Sequence, residues 1–313
     1  MLAYLPLCAT ALDLAVGDPP SWGHPVRLIG GLLGRLACRA KALPDGLKRP
    51  CGVVVTAGLG LAVYSAVYLL CALPWAGWAF SLYFAFAGLA LGQLIREAAS
   101  VAGLIESSRL EPARSALSHL VSRDTGCLDE SGLWRTLAET VSENFNDAFV
   151  APFMWLCLGG PPLLWLYKTV STMDSMWGYK TPEYRDLGWA CARADDLLAF
   201  VPARLSALAM IGAGWLMGLP AGQALARTRT EARTMASPNA GWPMAAAAWL
   251  CGGAMGGEAV YFGTTVQKPP LGPGDGVWDR ERFSRLRGLV LAAGAGLVLA
   301  GQAAVLAYAR ILA

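Results

Sequence analysis

Charge is scarce in this chain. Only 15% of its 313 residues are Asp, Glu, Lys or Arg, against roughly a quarter in a typical soluble domain. Residues 51–95 carry no charged side chain, and neither do residues 288–309. Gaps of that length exclude a soluble enzyme, and a chain this apolar cannot remain solvated as a disordered one. Histidine is nearly absent, with two in the whole chain. The eight cysteines are scattered and none forms a CxxC pair, which argues against a disulfide framework or a thiolate metal cluster. No P-loop, GxGxxG or nucleophile elbow occurs, so any ATP site is not a standard soluble one. The formal net charge of +3 is too small to point to a nucleic-acid partner.

What is present is apolar chain in span-sized lengths, separated by polar segments. A spanning helix needs about 20 apolar residues. Residues 51–95 therefore predict two spans hinged near Pro74, and residues 288–309 predict one. Residues 1–16 are apolar, but no Lys or Arg precedes them and Asp13 lies inside. They read as a short or partly inserted membrane segment rather than a cleavable signal. Residues 18–50 hold six basic side chains against Asp18 and Asp45, an excess that reads as cytoplasmic. Residues 96–147 form a long polar insert with helical patterning.

Three further charge-free stretches, 148–167, 205–226 and 234–257, are each broken by Pro or paired Gly. If all three crossed the membrane, residues 168–204 and 258–287, with five basic residues each, would lie outside. Re-entrant hairpins or broken half-helices avoid that conflict with the positive-inside tendency. The expected fold is thus all-α: a polytopic integral membrane protein with re-entrant or broken helices and cytoplasmic helical loops. A single membrane-embedded domain over 1–313 is expected, with 96–147 and 168–204 as its polar segments.

The polar segments hold the candidate chemistry. Glu139, Glu143 and Asp147 recur at i, i+4 and i+8, one face of a continuous helix. Hard oxygens grouped there suit Mg²⁺ carrying phosphate groups, and an ordinary solvated acidic face is the alternative. A second cluster from Lys168 to Asp186 holds Asp174, Tyr179, Lys180, Tyr184 and Arg185. Its Lys and Arg suit phosphates, as a point charge and a bidentate fork, although interfacial loops are also rich in Tyr, Trp and Lys. Arg193, Asp195, Asp196 and Arg204 continue that pattern. Near the start, Asp18-Pro19-Pro20 and His24-Pro25-Val26-Arg27 follow Gly17; His24 suits a general base, a ligand or a structural cap. Ser237-Pro238-Asn239-Ala240-Gly241-Trp242-Pro243 and Lys268-Pro269-Pro270-Leu271-Gly272 read as turn-like breakers.

Seven strings occur in register with one family. They are LDLAVGDPPSWGHPVRLIG (12–30), SRDTGCLDE (122–130), ETVSENFNDAFVAP (139–152), STMDSMWGYKTPEYRDLGWACARADDL (171–197), PARLSAL (202–208), SPNAGWP (237–243) and QKPPLG (267–272). On these the chain resembles the CobD/CbiB family, the adenosylcobinamide-phosphate synthases of cobalamin biosynthesis. The resemblance implies a multi-pass bacterial inner-membrane enzyme with a cytoplasmic active face. Its reaction would be an ATP- and Mg²⁺-dependent amide ligation of adenosylcobyric acid with aminopropanol or ethanolamine phosphate. Other enzymes of the cobalamin pathway would be its contacts, along with membrane lipid.

On that footing Glu139, Glu143 and Asp147 are expected on Mg²⁺, Glu143 also taking part in catalysis. Asp174 is a further ligand or base, and Lys180 acts in catalysis as well. Lys168, Lys180, Arg185 and Arg123 are expected to face phosphate groups, with Tyr179 beside them. Asp18, His24 and Arg27 are expected to line the substrate pocket, with Asn239 and Lys268 closing it. Two other classes stay open: a membrane prenyl or alcohol-phosphate transferase, suggested by Asn144-x-x-Asp147, and a non-enzymatic transporter.

Overall fold

The computed structural model of the chain describes residues 2–18, 23–261 and 263–312. A 3-10 turn at Leu2–Tyr4 leads into α1 (Leu5–Val16), α2 (Pro25–Ala40), α3 (Asp45–Cys71), α4 (Gly77–Gly88) and α5 (Leu91–Glu106). Next come α6 (Leu110–Ser118) and α7 (Glu130–Asn144), which runs through a π-helical segment, Phe145–Val150, into α8 (Ala151–Trp177). Helices α9 (Trp189–Leu198), α10 (Phe200–Leu216), α11 (Ala221–Ala232) and α12 (Gly241–Cys251) follow. A hairpin of β1 (Met255–Tyr261) and β2 (Thr264–Leu271) precedes α13 (Arg280–Leu312).

The chain is a polytopic all-α membrane protein with one small hairpin. Among the described residues, Asp45–Cys71, Gly77–Glu106, Glu130–Trp177 and Arg280–Ile311 are long and apolar enough to cross a membrane. The pair Trp189–Leu198 and Phe200–Leu216, bent by 41°, would add a fifth. The expected hinge is present, since α3 ends at Cys71 and α4 begins at Gly77, across the turn that contains Pro74. Helix α1 has 12 residues and is about 18 Å long, short of the roughly 30 Å hydrocarbon core.

Helix α8 is broken where paired Gly and Pro predict it. Gly159 and Gly160 leave helical geometry immediately before Pro161 and Pro162. Gly160 has φ 68°, a region open mainly to glycine. The stretch 234–257 behaves differently from the other apolar stretches. Its helix α12 spans only 11 residues and is closed by Gly252 in the left-handed conformation at φ 73°.

One expectation is corrected. Lys268-Pro269-Pro270-Leu271 is not a turn-like breaker but the second half of β2, paired antiparallel with β1 in the register Gly257–Lys268 and Met255–Leu271. The prolines escape the usual penalty because the register shifts between Met255 and Gly257, at Gly256. A residue without an N–H is tolerated in a strand at such a bulge or edge.

The chain folds into two compact units. The first comprises Met1–Leu91, Ala151–Ala199 and Val298–Ala313. Helix α8 is its centre and packs against α2, α3, α4 and α9. Trp165 Nε1 donates to the Phe84 carbonyl at 2.8 Å, and the two rings meet edge to face at 5.9 Å. A Cβ on Gly88 would stand 2.1 Å from Leu164 Cδ2, so the approach of α4 to α8 requires glycine there. Gln302 ties down the amino-terminal segment, donating to the Ala3 carbonyl at 2.6 Å and accepting from Leu7 N–H at 3.4 Å.

The second unit comprises Gly92–Val150 and Phe200–Leu297. Helix α12 packs against α10 and α11, and its Ala245, Ala246, Ala247 and Ala248 are all fully buried. Small residues let helix backbones approach closely. A two-stranded hairpin is marginal alone, and here it is tied to neighbouring chain. Asp124 N–H donates to the Val260 carbonyl at 2.8 Å, and Gly263 N–H donates to Asp124 Oδ2 at 2.9 Å.

Gly256 and Gly263 provide a test of the hairpin. Both have positive φ, 85° and 75°, but a Cβ on Gly256 would stand 2.1 Å from the Pro269 carbonyl oxygen, whereas Gly263 has nothing within 4 Å. Left-handed strain alone costs about 1–2 kcal/mol. Gly263→Ala should lower the thermal unfolding midpoint in detergent modestly, and Gly256→Ala should lower it further. Equal losses would show that the collision is relieved by a shift of the strand.

Candidate functional site

Each unit gathers its own polar cluster from the expected residues. In the first unit, Asp18, His24, Arg27 and Lys168 come together with Val26 around a cavity of about 220 Å³. Local sequence builds its rim. His24 is the N-cap of α2 and Pro25 its first residue, the position where a missing N–H is harmless. His24 Nδ1 accepts from the Val26 N–H at 3.2 Å, so Nε2 carries the proton and donates to the Ala87 carbonyl at 2.9 Å. The ring is thereby held as the neutral tautomer, its plane 44° from that of Trp165 at 6.2 Å. Asp18 Oδ1 lies 3.7 Å from Nε2. Burial pushes the His24 imidazole below its ordinary value, assisted by the charges of Lys168 and Arg27 and opposed by Asp18 and the Ala87 hydrogen bond.

Further along, Asp174 occupies the last turns of α8, where a Cβ on Gly178 would stand 2.0 Å from its Oδ1. Asp196 is the carboxylate that acts on Asp174, and Lys180 and Arg193 are the cations that act on Asp196. Tyr179, Lys180 and Arg185 are exposed on the segment joining α8 to α9. That segment is folded tightly back: a Cβ on Gly188 would meet the Trp177 carbonyl oxygen at 1.8 Å. It lies against the start of α3. Lys41 pairs with Glu183 at 2.7 Å and sits over the Tyr184 ring, while Arg49 sits over Trp189.

In the second unit, Arg123 and Glu139 form a buried ion pair, with side-chain exposures of 8% and 1%. Asp129 caps α7 by accepting from Gly132 N–H at 2.7 Å, and so fixes the start of the helix that carries Glu139 and Glu143. Arg123 also donates to Thr136 Oγ1 at 3.2 Å, and Glu139 Oε1 accepts from Gly256 N–H at 2.8 Å. Burial pushes the Arg123 guanidinium down, but the adjacent Glu139 more than offsets it, so its pKa stands above the ordinary value. Lys268, Glu139 and Arg123 are the charges that act on Glu143. Glu143 makes no hydrogen bond or ion pair with a described residue. Lys268 Nζ stands 5.2 Å from the centre of the Tyr261 ring.

Asp147 lies beyond the change from α to π geometry, where Asn146 Nδ2 donates to its Oδ1 at 2.7 Å. The i, i+4, i+8 argument assumes a continuous α-helix, and the wider π turn alters the phase at its third member. Among the described residues no three His, Cys, Asp or Glu side chains are grouped so as to hold a metal ion by themselves. Asn239, expected to close a substrate pocket, accepts from Arg204 Nη1 at 2.7 Å. Arg204 is stacked against the rings of Phe200 and Trp242, at 3.6 and 4.6 Å from their centres.

Two structural roles were missed in the sequence. Arg204, in PARLSAL, orders Asn239; Phe200 lies one helical turn before it, while Trp242 is 38 residues away and gave no local signal. Glu231 Oε2 accepts from Trp249 Nε1 at 2.9 Å and from Gly272 N–H at 2.8 Å, pinning the end of β2. A lone acid among the arginines of α11 carries no signal of that kind. The string Asp18-Pro19-Pro20 falls partly outside the described residues, which omit 19–22.

The family described as CobD/Cbib protein matches residues 6–290. The chain is 39% identical over 272 residues to the cobalamin biosynthesis protein CobD of Photorhabdus laumondii, with 84% of this chain and 85% of that one covered. It is 40% identical over 273 residues to CobD of Geobacter metallireducens, with 85% of each covered. Cobalamin biosynthesis protein CbiB of Salmonella typhi is 37% identical over 290 residues, with 89% of this chain and 90% of that one covered. No solved structure matches the chain.

Two outcomes follow from these geometries. Glu139→Ala leaves Arg123 buried without its partner, a change that costs about 3–5 kcal/mol. Glu139→Gln keeps an acceptor for Gly256 N–H and should lose less stability in denaturation of the detergent-solubilised protein. The second outcome concerns pH. A folded-state value of His24 below the ordinary 6.5 means that the unfolded chain takes up its proton first as pH falls. His24 thus contributes stability above pH 6.5 that is lost as pH falls through the folded value. Unfolding midpoints should drop across that window in wild type and drop less in His24→Gln.

Proposed function

The chain belongs to the CobD/CbiB family, and on that premise we propose that it serves cobalamin biosynthesis as an adenosylcobinamide-phosphate synthase of the bacterial inner membrane. The observation that carries this reading is the extent of the family match, residues 6–290, which takes in every residue of both polar clusters. The substrates are adenosylcobyric acid and an amino-alcohol phosphate, either aminopropanol or ethanolamine phosphate, joined as an amide at the expense of ATP. The active face is the cytoplasmic one, as the basic excess of residues 18–50 supports.

The chemistry sets the requirements. A carboxylate is a poor acyl donor because its oxygen leaves badly. Transfer of a phosphoryl group from ATP to that oxygen gives an acyl phosphate and releases ADP. The amine then attacks the acyl carbon, phosphate leaves, and the nitrogen gives up a proton to a base. Such a sequence needs cations for the phosphates and a base to take the proton from the nitrogen. Arg123, Lys168, Lys180 and Arg185 are the cations proposed to face phosphate groups, with Tyr179 adjacent to Lys180. Asp174 is the proposed base or further ligand.

Mg²⁺ usually takes one or two protein carboxylates and completes its shell with phosphate oxygens and water. Glu139, Glu143 and Asp147 are the carboxylates proposed to hold it. Of the three, Glu143 is the one on which such an ion would rest, since both oxygens of Glu139 are engaged by Arg123 and Gly256 and the π segment shifts Asp147 out of α-helical phase. When bound, the ion would neutralise phosphate charge. Asn239 and Lys268 are proposed to close the substrate pocket.

Purified protein in detergent, given adenosylcobyric acid, each amino-alcohol phosphate, ATP and Mg²⁺, should yield the amide by mass spectrometry together with ADP; AMP would replace the acyl phosphate by an acyl adenylate. No product from folded protein with either amine would overturn the synthase assignment. In the same assay, Glu143→Ala and Lys180→Ala should each lower turnover by about a hundredfold or more. Turnover near wild type in a folded variant would remove that residue from the site.

A further inference from the structure

Helix α2 is buried along one face and exposed along the other. Its buried residues are Ile29, Leu33, Ala37 and Ala40, and the helix packs against α8. The exposed face carries Leu28, Leu32, Arg35, Cys38 and Arg39. The helix contains no acidic residue. Arg35 and Arg39 make no ion pair or side-chain hydrogen bond with a described residue. They stand one turn apart, a spacing at which like charges repel.

The direction of α2 follows from what it passes. Its N-cap His24 has its ring 6.2 Å from that of Trp165, whereas a Cβ on Gly30 would stand 3.7 Å from Met176 Sδ. The helix therefore runs towards the Trp177 end of α8. The start of α3 lies at that same end, since Gly188 closes on the Trp177 carbonyl and Gly52 on the Leu187 carbonyl. Helix α3 is long and apolar enough to cross a membrane and opens with Asp45, Lys48 and Arg49, so this end lies at a membrane surface. Along the exposed face of α2, Leu28 and Leu32, 71% and 42% exposed, come first and are the deeper. Arg35 and Arg39 follow about 10 Å further on, at the level of the surface.

A free phosphate would satisfy the two arginines and leave the leucines in water. A zwitterionic lipid would cover the leucines, but its phosphate is already balanced by its own cation. An amphiphile with a net negative headgroup satisfies both halves of the face, because basic side chains at a membrane surface attract anionic lipid and arginine pairs with phosphate through a fork of donors.

We propose that the exposed face of α2 is a binding site for an anionic phospholipid of the surrounding bilayer, its phosphate on Arg35 and Arg39 and its acyl chain along Leu28 and Leu32. The occupied site neutralises the repelling pair and ties the start of the cavity helix to the bilayer. It stands apart from the synthase reading and uses none of the residues proposed for that chemistry.

The experiment is native mass spectrometry of the full chain in detergent, titrated with phosphatidylglycerol, phosphatidylcholine or chain-free glycerophosphoglycerol. Phosphatidylglycerol should bind most tightly and glycerophosphoglycerol least. Arg35→Gln/Arg39→Gln should weaken phosphatidylglycerol by about fivefold per charge removed, about thirtyfold together, and leave phosphatidylcholine nearly unchanged. Arg109→Gln/Arg229→Gln removes the same charge from exposed positions elsewhere and should leave both lipids nearly unchanged. A misfolded variant would lose both lipids, so the selective loss carries the assignment. Equal losses of the two lipids, or an equal effect of the Arg109 and Arg229 pair, would overturn the site on α2. Glycerophosphoglycerol binding as tightly as the intact lipid would overturn the acyl contact with Leu28 and Leu32, and with it the lipid as occupant.

Discussion

The carboxylate of Glu139 is the group on which the second unit depends. A charge removed from water must be paired and hydrogen-bonded, or it destabilises the fold by several kilocalories per mole. Glu139 meets that demand from two directions, taking the guanidinium of Arg123 on one oxygen and the backbone N–H of Gly256 on the other. The loop before α7, α7 itself and the β-hairpin are thereby fixed to one another. The hairpin, marginal as two strands, persists because its glycine N–H has an acceptor inside the protein. Lys268 is carried on the second strand of that hairpin. Its placement near Glu143 therefore depends on the same carboxylate, four residues earlier along α7.

The first unit is marked by close approaches of backbone at glycine. Gly88, Gly188 and Gly52 each stand where a Cβ would collide with backbone or with a packed leucine. These close approaches set α4 against α8 and fold the α8–α9 connection onto α3. The candidate site residues of that unit lie at the N-cap of α2, along α8 and on the connecting segment. Lys168 reaches the His24 cavity because α8 packs against both α2 and α4.

Charge-free length was enough to read α3, the Pro74 hinge and α13 from the sequence, because a helix in hydrocarbon can be recognised by what it excludes. Paired Gly and Pro likewise marked the break in α8. The hairpin was not readable: Lys268-Pro269-Pro270 carries turn chemistry, and it forms a strand where the two prolines bulge opposite the single Gly256 and Asp124 and Glu139 supply distant partners. The cavity residues Asp18, His24, Arg27 and Lys168 lie up to 150 residues apart; the first three fall in a string shared with a family, Lys168 was marked by its polar cluster, and no periodicity links them. The carboxylate series on α7 was read with α-helical spacing, which the π segment at Phe145–Val150 does not keep. Arg204 shows the converse, since aromatic neighbours at 200 and 242 become a stack only once α10 and α12 are packed together.

The break in α8 bears on how a spanning helix can be interrupted away from water. A new helix start ordinarily exposes four backbone N–H groups without intrahelical acceptors, and in an apolar setting each is a liability. Here the first two residues after Gly160 are Pro161 and Pro162, which have no N–H to satisfy. Half of the donor deficit is thus absent from the chemistry of the chain itself. The restart needs no polar side chain to cap those two positions, and the direction of the helix can change within a greasy run with only the Gly160 and Leu163 N–H left to account for.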